Sequence, residues 1–302
     1  MISHLTNSEI DRTRWDECVS KCPFARPYGL SWFLDNMTPG WEALVYGDYL
    51  SVFPLPSFKK YGVRYTVTPP FLQQLGLFSC DESSSADLAV EMMELVASRY
   101  SFVDLCIRNR IDQGKYMVMS RVNYELDLSL PYDKLRENFT KHCRRNVETA
   151  HKNKPEITED LSPEELVGLF IRNKGAYIRG VKKKDYNRLI KLMYYCLENK
   201  KGRIMGVRNL KGNPVYGLFL VEALNRMIML LVVNTPFSRE KRTGYYIIDK
   251  LVKDHAASCS VLDFAGSSIP SIAAFQKSFG SAEKTFYRIY FNNLMWPLRL
   301  LR

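Results

Sequence analysis

The residues of this chain best suited to chemistry are one carboxylate and several groups of positive charge. Asp263 closes a short apolar run, Val261 to Phe264, in the sequence D-F-A-G. A carboxylate buried there needs a partner or a role as base toward an incoming ammonium. The competing reading makes it a cap on the turn at Gly266 and Ser267. Arg144 and Arg145 follow Lys141 by one helical turn and form a basic face suited to RNA, to an anionic acceptor, or simply to solvent. Lys182 to Lys184 is read as solvated surface. His4, His142, His151 and His255 lack metal-ligand spacing, and Cys18-x-x-x-Cys22 lacks partners for a four-ligand zinc site, so no metal is expected. Neither a Walker loop nor a G-x-S-x-G elbow occurs, so nucleotide hydrolysis and serine-esterase chemistry have no support. His142 is next to Cys143 in sequence but points elsewhere on a helix, and the cysteines are read as packing residues.

Charge suggests a class of partner. The chain carries a formal +11, yet residues 1–130 hold 12 Lys and Arg against 16 Asp and Glu, whereas residues 131–302 hold 31 against 16. A basic second half suits a phosphate-bearing partner such as a nucleotide cofactor, RNA or an anionic lipid, or a lysine-rich solvated surface. With 302 residues, 46% of them hydrophobic, there is material for one or two cores. The longest wholly apolar run, Met227 to Val233, falls far short of the roughly 20 residues of a membrane-spanning helix, and no transmembrane segment is expected. The opening MISHLTNSEIDRTRW is too polar for a secretion signal. Seven scattered cysteines, Cys18, Cys22, Cys80, Cys106, Cys143, Cys196 and Cys259, imply reduced thiols and a cytoplasmic location.

The elements that must position these groups follow from periodicity. The first half predicts helices over Ile10–Val19 and Gly29–Asn36, a hairpin of Trp41–Tyr46 and Tyr49–Leu55 about Gly47-Asp48, and a strand near Leu75–Phe78. A helix over Ser83–Ser98 and strands over Phe102–Ile107 and Val122–Leu128 come next. The second half predicts helices over Tyr132–Lys152, Pro163–Asn173 and Lys184–Asn199, the second opened by a capping box of Ser162 and Glu165. A meander of Arg203–Arg208, Pro214–Glu222 and Arg226–Asn234 leads to a helix over Ser238–Ala257, a strand over Val261–Phe264, a helix over Pro270–Phe279 and a strand over Lys284–Phe291. Ala97, Ser101 and Asp104 align with Ala256, Ser260 and Asp263 at one offset, each where a helix runs into a strand. Two copies of one α/β unit, 1–130 and 131–302, are therefore expected.

VLDFAGSSIPSIAAFQKSFG (Val261 to Gly280) resembles the signature of the FemABX-like branch of the GNAT N-acyltransferase superfamily, a D-F-x-G turn and a helix ending F-x-x-x-F-G. KHCRRNVETAHKN (Lys141 to Asn153) resembles the family's basic helix with its R-x-N-x-x-x-A core, and NTPFSREKRTGYY (Asn234 to Tyr246) lies where those proteins enter their cofactor-binding helix. YTVTPPFLQQLGLFS (Tyr65 to Ser79) is similar to the corresponding segment of the N-terminal repeat. The resemblance implies an α/β fold with mixed sheets, built as two tandem GNAT-like acyltransferase domains. Residues 1–130 would be the degenerate, acceptor-side copy and residues 131–302 the donor-binding one, its last residues packing back on the first.

The resemblance also implies the chemistry: transfer of an acyl group from acyl-CoA, a co-substrate, to a small-molecule or peptide amine entering between the domains. The narrow FemABX family instead uses aminoacyl-tRNA and a peptidoglycan precursor, although the long helical hairpin that some members insert for tRNA is not visible here. A catalytically silent relative that binds a ligand is the third class. By resemblance, a helix N-terminus around Arg239, Lys241, Arg242, Thr243, Gly244 and Tyr245 takes the pyrophosphate, with Lys241, Gly244 and Tyr246 falling on the pattern R/Q-x-x-G-x-G/A. Asn234 stands where a backbone N–H polarises the thioester carbonyl, or merely ends a strand before Pro236. Gln276 occupies the position of a tyrosine acid and can hydrogen-bond without donating a proton as an acid. Lys277, one residue on, replaces a family lysine or is a surface lysine. Tyr287 and Tyr290 point to opposite faces of the last strand, so at most one faces the donor.

Overall fold

The computed structural model describes residues 1–81, 85–112, 114–173, 180–266 and 269–296. The chain divides into two compact units, Met1–Arg121 with Thr285–Arg302, and Val122–Lys284. Among the described residues no helix is long and apolar enough to cross a membrane.

Unit 1 opens with β1 (Ile2–Leu5), α1 (Arg12–Lys21), α2 (Ser31–Met37), β2 (Glu42–Tyr46) and β3 (Ser51–Leu55). The Asp11 carboxylate starts α1 by accepting the Thr13 and Arg14 N–H groups at 3.0 and 3.1 Å. The hairpin β2–β3 forms as its turn residues predict, with Gly47 and Tyr49 at positive φ. β4 (Ser57–Lys60), β5 (Val63–Val67), β6 (Phe78–Ser79), α3 (Ser85–Arg99) and β7 (Phe102–Ile107) complete the first run, and β13 (Ala282–Asn292) joins from the far end of the chain. One sheet runs β1-β2-β3-β6; in the other, β4, β5, β7 and β13 are neighbours in that order. Leu88, Met92, Met93 and Val96 of α3 pack on Val103, Leu105 and Ile107 of β7, the apolar stripe that the helix period demands.

Unit 2 takes the end of β8 (Met117–Asp127), then α4 (Tyr132–Glu137), α5 (Lys141–Asn153), α6 (Pro163–Asn173) and α7 (Lys183–Glu198). The meander β9 (Gly202–Arg208), β10 (Pro214–Ala223) and β11 (Arg226–Asn234) follows, then α8 (Pro236–Glu240), α9 (Thr243–His255), β12 (Val261–Asp263) and α10 (Pro270–Lys277). The strand order is β8-β12-β11-β10-β9, with β12 parallel to β11 and the other pairs antiparallel. α6 begins with the expected capping box: the Ser162 hydroxyl accepts the Glu165 N–H at 3.1 Å and the Glu165 carboxylate accepts the Ser162 N–H at 3.0 Å. It then approaches β10 so closely that a Cβ on Gly217 would stand 2.3 Å from Leu166 Cδ1. The core joins Leu218 and Leu220 of β10 to Ile247, Ile248, Leu251 and Val252 of α9 and to Val147 of α5.

Three expectations are corrected. The helices predicted over Tyr132–Lys152 and Ser238–Ala257 are each broken in two. Thr140 is extended, and its hydroxyl caps a fresh start by accepting the Cys143 N–H at 3.1 Å. Arg242 is left-handed, at φ 58°, which ends α8 and resets the axis for α9. The strand expected at Leu75–Phe78 shrinks to Phe78–Ser79, and Leu75 makes only a lone parallel bridge to Ile107. The division falls at Val122, inside β8, and not at 131, because Glu125–Asp127 pairs with β12. Residues from Thr285 onward return to unit 1, where β13 pairs with β7. Such ladders are non-local and leave no mark in a linker's composition.

Candidate functional site

The site originates where two parallel strands separate. β11 and β12 pair only from Arg226↔Val261 to Ile228↔Asp263, after which β12 ends and β11 runs on to Asn234. The β10–β11 register shifts from Phe219↔Leu231 to Leu220↔Met229, leaving Leu230 as an extra residue, and such a bulge bends its strand. The alternate backbone groups of β11 beyond Ile228 therefore face an opening without a β12 partner. Carboxyl ends of parallel strands are where open α/β sheets bind ligands. Here they border a cavity of about 490 Å³.

The cavity has an apolar body and a basic edge. Tyr216, Met229 and Val232 line it from the strands, Ile248 from α9, and Phe264, Ile272 and Phe275 from the chain after β12. The edge carries Asn234, Arg239, Arg242, Gly244 and Tyr245. In the first turn of α9 the Arg242 carbonyl takes the N–H groups of Tyr245 and Tyr246. The two N–H groups that a helix start leaves without an intrahelical acceptor are then those of Thr243 and Gly244. With two guanidinium groups beside a helix N-terminus, the edge suits an anion. A Cβ on Gly244 would make only ordinary contacts, 3.4 Å to Asn234 Nδ2 and 3.6 Å to Phe275 Cζ, so packing does not demand glycine there.

Polar side chains set the interior. Asn234 is fixed at the end of β11 by the buried Ser238, whose hydroxyl donates to Asn234 Oδ1 at 2.7 Å. Gln276, on α10, is 6% exposed; its Nε2 donates to the Phe264 carbonyl at 3.1 Å, and its Oε1 has no partner among the described residues. Burial raises the ionisation of the Tyr216 and Tyr245 phenols above the ordinary value, so both stay protonated and can donate.

The structure thus brings together six of the residues expected from sequence: Asn234, Arg239, Arg242, Gly244, Tyr245 and Gln276. Thr243 is buried beside them, off the lining. Lys241, the basic position of the family pattern, is exposed and outside the lining, and its carbonyl accepts from Asn153 Nδ2 at 3.0 Å. Its neighbours Arg239 and Arg242 take the edge instead. Tyr246, bulky where the pattern has a small residue, turns to the other face of α9 and meets His151 with ring centroids 4.9 Å apart. Asp249 anchors that same face, its carboxylate accepting from the Tyr132 hydroxyl at 2.7 Å and meeting His151 Nε2 at 2.8 Å.

Other candidates stand elsewhere. Asp263 is fully buried outside the lining, accepting from Asn123 Nδ2 (2.9 Å) and the Ala265 N–H (2.9 Å) and pairing with Arg226 (3.2 Å). Those contacts tie it to the turn and to a buried ion cluster with Glu125. Ser267, the other half of the expected turn, lies outside the described residues. Lys277, about 100° round the helix from Gln276, points away and pairs with Glu283 at 2.9 Å. Arg144 donates to the carbonyls of Glu137 and Phe139, closing α4, and Arg145 is exposed on α5. Tyr287 belongs to unit 1, where it packs on that unit's core.

The apolar lining is what sequence reading missed. Ile248 follows Gly244 by one turn, and Ile272 precedes Gln276 by one turn, a spacing that pointed to a shared face. Nothing local marked Met229 and Val232, since any buried strand has such residues.

The sequence matches no family model, and no curated protein matches it. The fold has solved counterparts. FemX matches with a TM-score of 0.66 at 13% identity, over 99% of both chains. L-PGS from Bacillus licheniformis gives 0.53 at 12% identity, covering 96% of this chain and 95% of that one. A conserved protein of unknown function from Bacteroides thetaiotaomicron gives 0.53 at 10% identity, over 93% of each. The backbone agrees with the motif resemblance, and the chain has a FemX-type fold.

Proposed function

We propose that the chain is an N-acyltransferase that moves an acyl group from acyl-CoA to an amine. The motif resemblance and the FemX-type fold support acyl or aminoacyl transfer at the coarse level. One observation carries the finer reading: the strands β11 and β12 part over a cavity whose edge holds Arg239, Arg242 and the start of α9. Arg239, Arg242 and the N–H groups of Thr243 and Gly244 would hold the carrier's phosphates, leaving the apolar body for the acyl chain.

In the reaction the amine nitrogen bonds to the thioester carbonyl carbon, the C–S bond breaks, and the sulfur leaves with a proton. Backbone N–H groups on the open edge of β11 near Asn234 polarise the carbonyl as charge develops on its oxygen. Gln276 supplies no proton; the phenols of Tyr216 and Tyr245, kept protonated by burial, line the cavity and would hydrogen-bond to the leaving sulfur, which takes its proton through water. Positioning and carbonyl polarisation provide the rate, with water taking the proton from the amine.

The test is calorimetric titration with CoA, acetyl-CoA, a long-chain acyl-CoA and charged tRNA at two salt concentrations. Saturable binding of acyl-CoA is expected. The double variant Arg239→Glu with Arg242→Glu should weaken it by about 100-fold, as befits loss of two charge-assisted contacts. Unchanged affinity in that variant would sink the phosphate placement. Salt-sensitive binding of charged tRNA alone would move the assignment to aminoacyl-tRNA-dependent transfer.

A further inference from the structure

We infer that the cavity takes an uncharged acyl group, and that Oε1 of Gln276 receives a neutral N–H or O–H donor of the bound molecule. The inference rests on the acyl-donor reading above. Among the described lining residues there is no Asp or Glu, and the charged groups are Arg239 and Arg242, both cationic. The two buried carboxylates next in sequence to lining residues lie outside the lining: Asp249 is held by Tyr132 and His151, and Asp263 by Arg226 and Asn123. The ammonium of an aminoacyl group would leave water for the apolar body of the cavity, where no described lining residue offers a counter-ion, since the two charged ones are cations engaged with the carrier's phosphates. A neutral chain instead meets apolar side chains, among them Met229, Val232, Ile248, Phe264 and Phe275.

Gln276 makes the specification sharper. Its Nε2 donates to the Phe264 carbonyl, which fixes the orientation of the amide and identifies the other atom as the oxygen. That oxygen is buried without a partner among the described residues, and Gln276 is one of the residues that line the cavity. A buried acceptor left unmade disfavours any ligand that cannot satisfy it, and a site of this type rejects analogues lacking the donor. The chemistry has two possible sources: an amide N–H of the carrier arm, or a hydroxyl on the acyl chain.

The experiment is calorimetric binding of CoA, octanoyl-CoA, 3-hydroxyoctanoyl-CoA and 2-aminooctanoyl-CoA to the full chain and to Gln276→Met. The full chain is expected to bind octanoyl-CoA at least about tenfold more tightly than its 2-amino analogue. If the carrier arm is the donor, Gln276→Met weakens all four ligands alike, by about tenfold. If the acyl hydroxyl is the donor, only 3-hydroxyoctanoyl-CoA loses affinity. Gln276→Glu, which puts a carboxyl where the inference requires that no counter-ion stand, should raise the affinity for 2-aminooctanoyl-CoA relative to octanoyl-CoA and serves if the methionine variant does not fold. Equal affinity for octanoyl-CoA and its 2-amino analogue overturns the inference, as does a Gln276→Met profile identical to wild type. Failure of every CoA species to bind would overturn the donor reading beneath it, whereas binding without discrimination removes only the inference.

Discussion

Each unit contains one crossover of the same kind, a strand, a helix and a second strand parallel to the first, with an antiparallel strand beyond. In unit 1 these are β5, α3, β7 and β13; in unit 2 they are β11, α9, β12 and β8. The third residue of the second strand is an aspartate in both, paired with an arginine: Asp104 with Arg288 through two contacts of 2.6 and 2.7 Å, and Asp263 with Arg226 at 3.2 Å. The gap at the carboxyl ends differs. In unit 1 the chain after β5 hydrogen-bonds into it. The Thr68 N–H donates to the Asp104 carbonyl (2.9 Å), the Thr68 hydroxyl accepts the Cys106 N–H (2.7 Å), and the Leu75 N–H donates to the Cys106 carbonyl (2.8 Å). In unit 2 the chain after β11 turns at Thr235 and Pro236 into α8 and leaves the gap as the cavity. A crossover therefore supplies the place for a site, and the connection after its first strand decides whether the place is filled.

The sharpest test of the comparison is the ion cluster. Arg226 pairs with two buried carboxylates, Asp263 and Glu125, whereas the Arg288–Asp104 pair has side chains 33% and 24% exposed. Arg226→Met should therefore cost unit 2 about 3–5 kcal/mol by stranding two carboxylates. Arg288→Met should cost unit 1 about 1 kcal/mol, solvent taking over part of the lost pairing. Urea unfolding separates the two, because all four tryptophans lie in unit 1 and report that unit alone, while far-ultraviolet circular dichroism reports both. Equal losses would mean that the two aspartates are environmentally equivalent.

The gap itself comes next in size. Thr68→Val should destabilise unit 1 by about 1–2 kcal/mol, since the Cys106 N–H loses its acceptor, and should leave ligand binding untouched. Gly244→Ala should change stability by less than about 0.5 kcal/mol, because its Cβ clashes with nothing, yet should weaken acyl-CoA binding by narrowing the cavity edge. The reverse pattern would show that Gly244 is there for the fold.

The smallest effect is pH dependence in unit 1. Burial foremost holds His4 below its ordinary value of 6.5. Burial pushes Glu42 the other way, but hydrogen bonds from Tyr100 and Ser57, with Arg64 and His4 nearby, keep it below 4.5. In each case the unfolded chain takes up the proton first as pH falls. The stability these groups contribute is complete above about pH 6.5 and declines on acidification, first through His4 and then below 4.5 through Glu42. Tryptophan-monitored unfolding between pH 7 and pH 4 should show this decline, and Glu42→Gln should remove its lower step.

Much of this was legible in the sequence where the signal was local. The α6 capping box, the meander from β9 to β11, the strand from Val261 and the helix from Pro270 were read from spacing a few residues wide, and each formed. So was the equivalence of Asp104 and Asp263. Two helix breaks were not legible, because Thr140 and Arg242 sit in stretches whose composition is compatible with helix throughout. Within the site, Arg239 and Arg242 were anticipated as a group with Lys241, and only the break at Arg242 selected which of the three reach the cavity edge. The sequence by itself determined the element types, the basic second half and the set of polar groups near Asn234 and Gln276, since periodicity, capping and charge act over a few residues. Only the tertiary structure decided where the chain divides, which aspartate is locked in an ion cluster, that Lys277 turns away, and that a cavity exists at all. Those outcomes depend on strand ladders between residues far apart in sequence and on where two strands cease to pair.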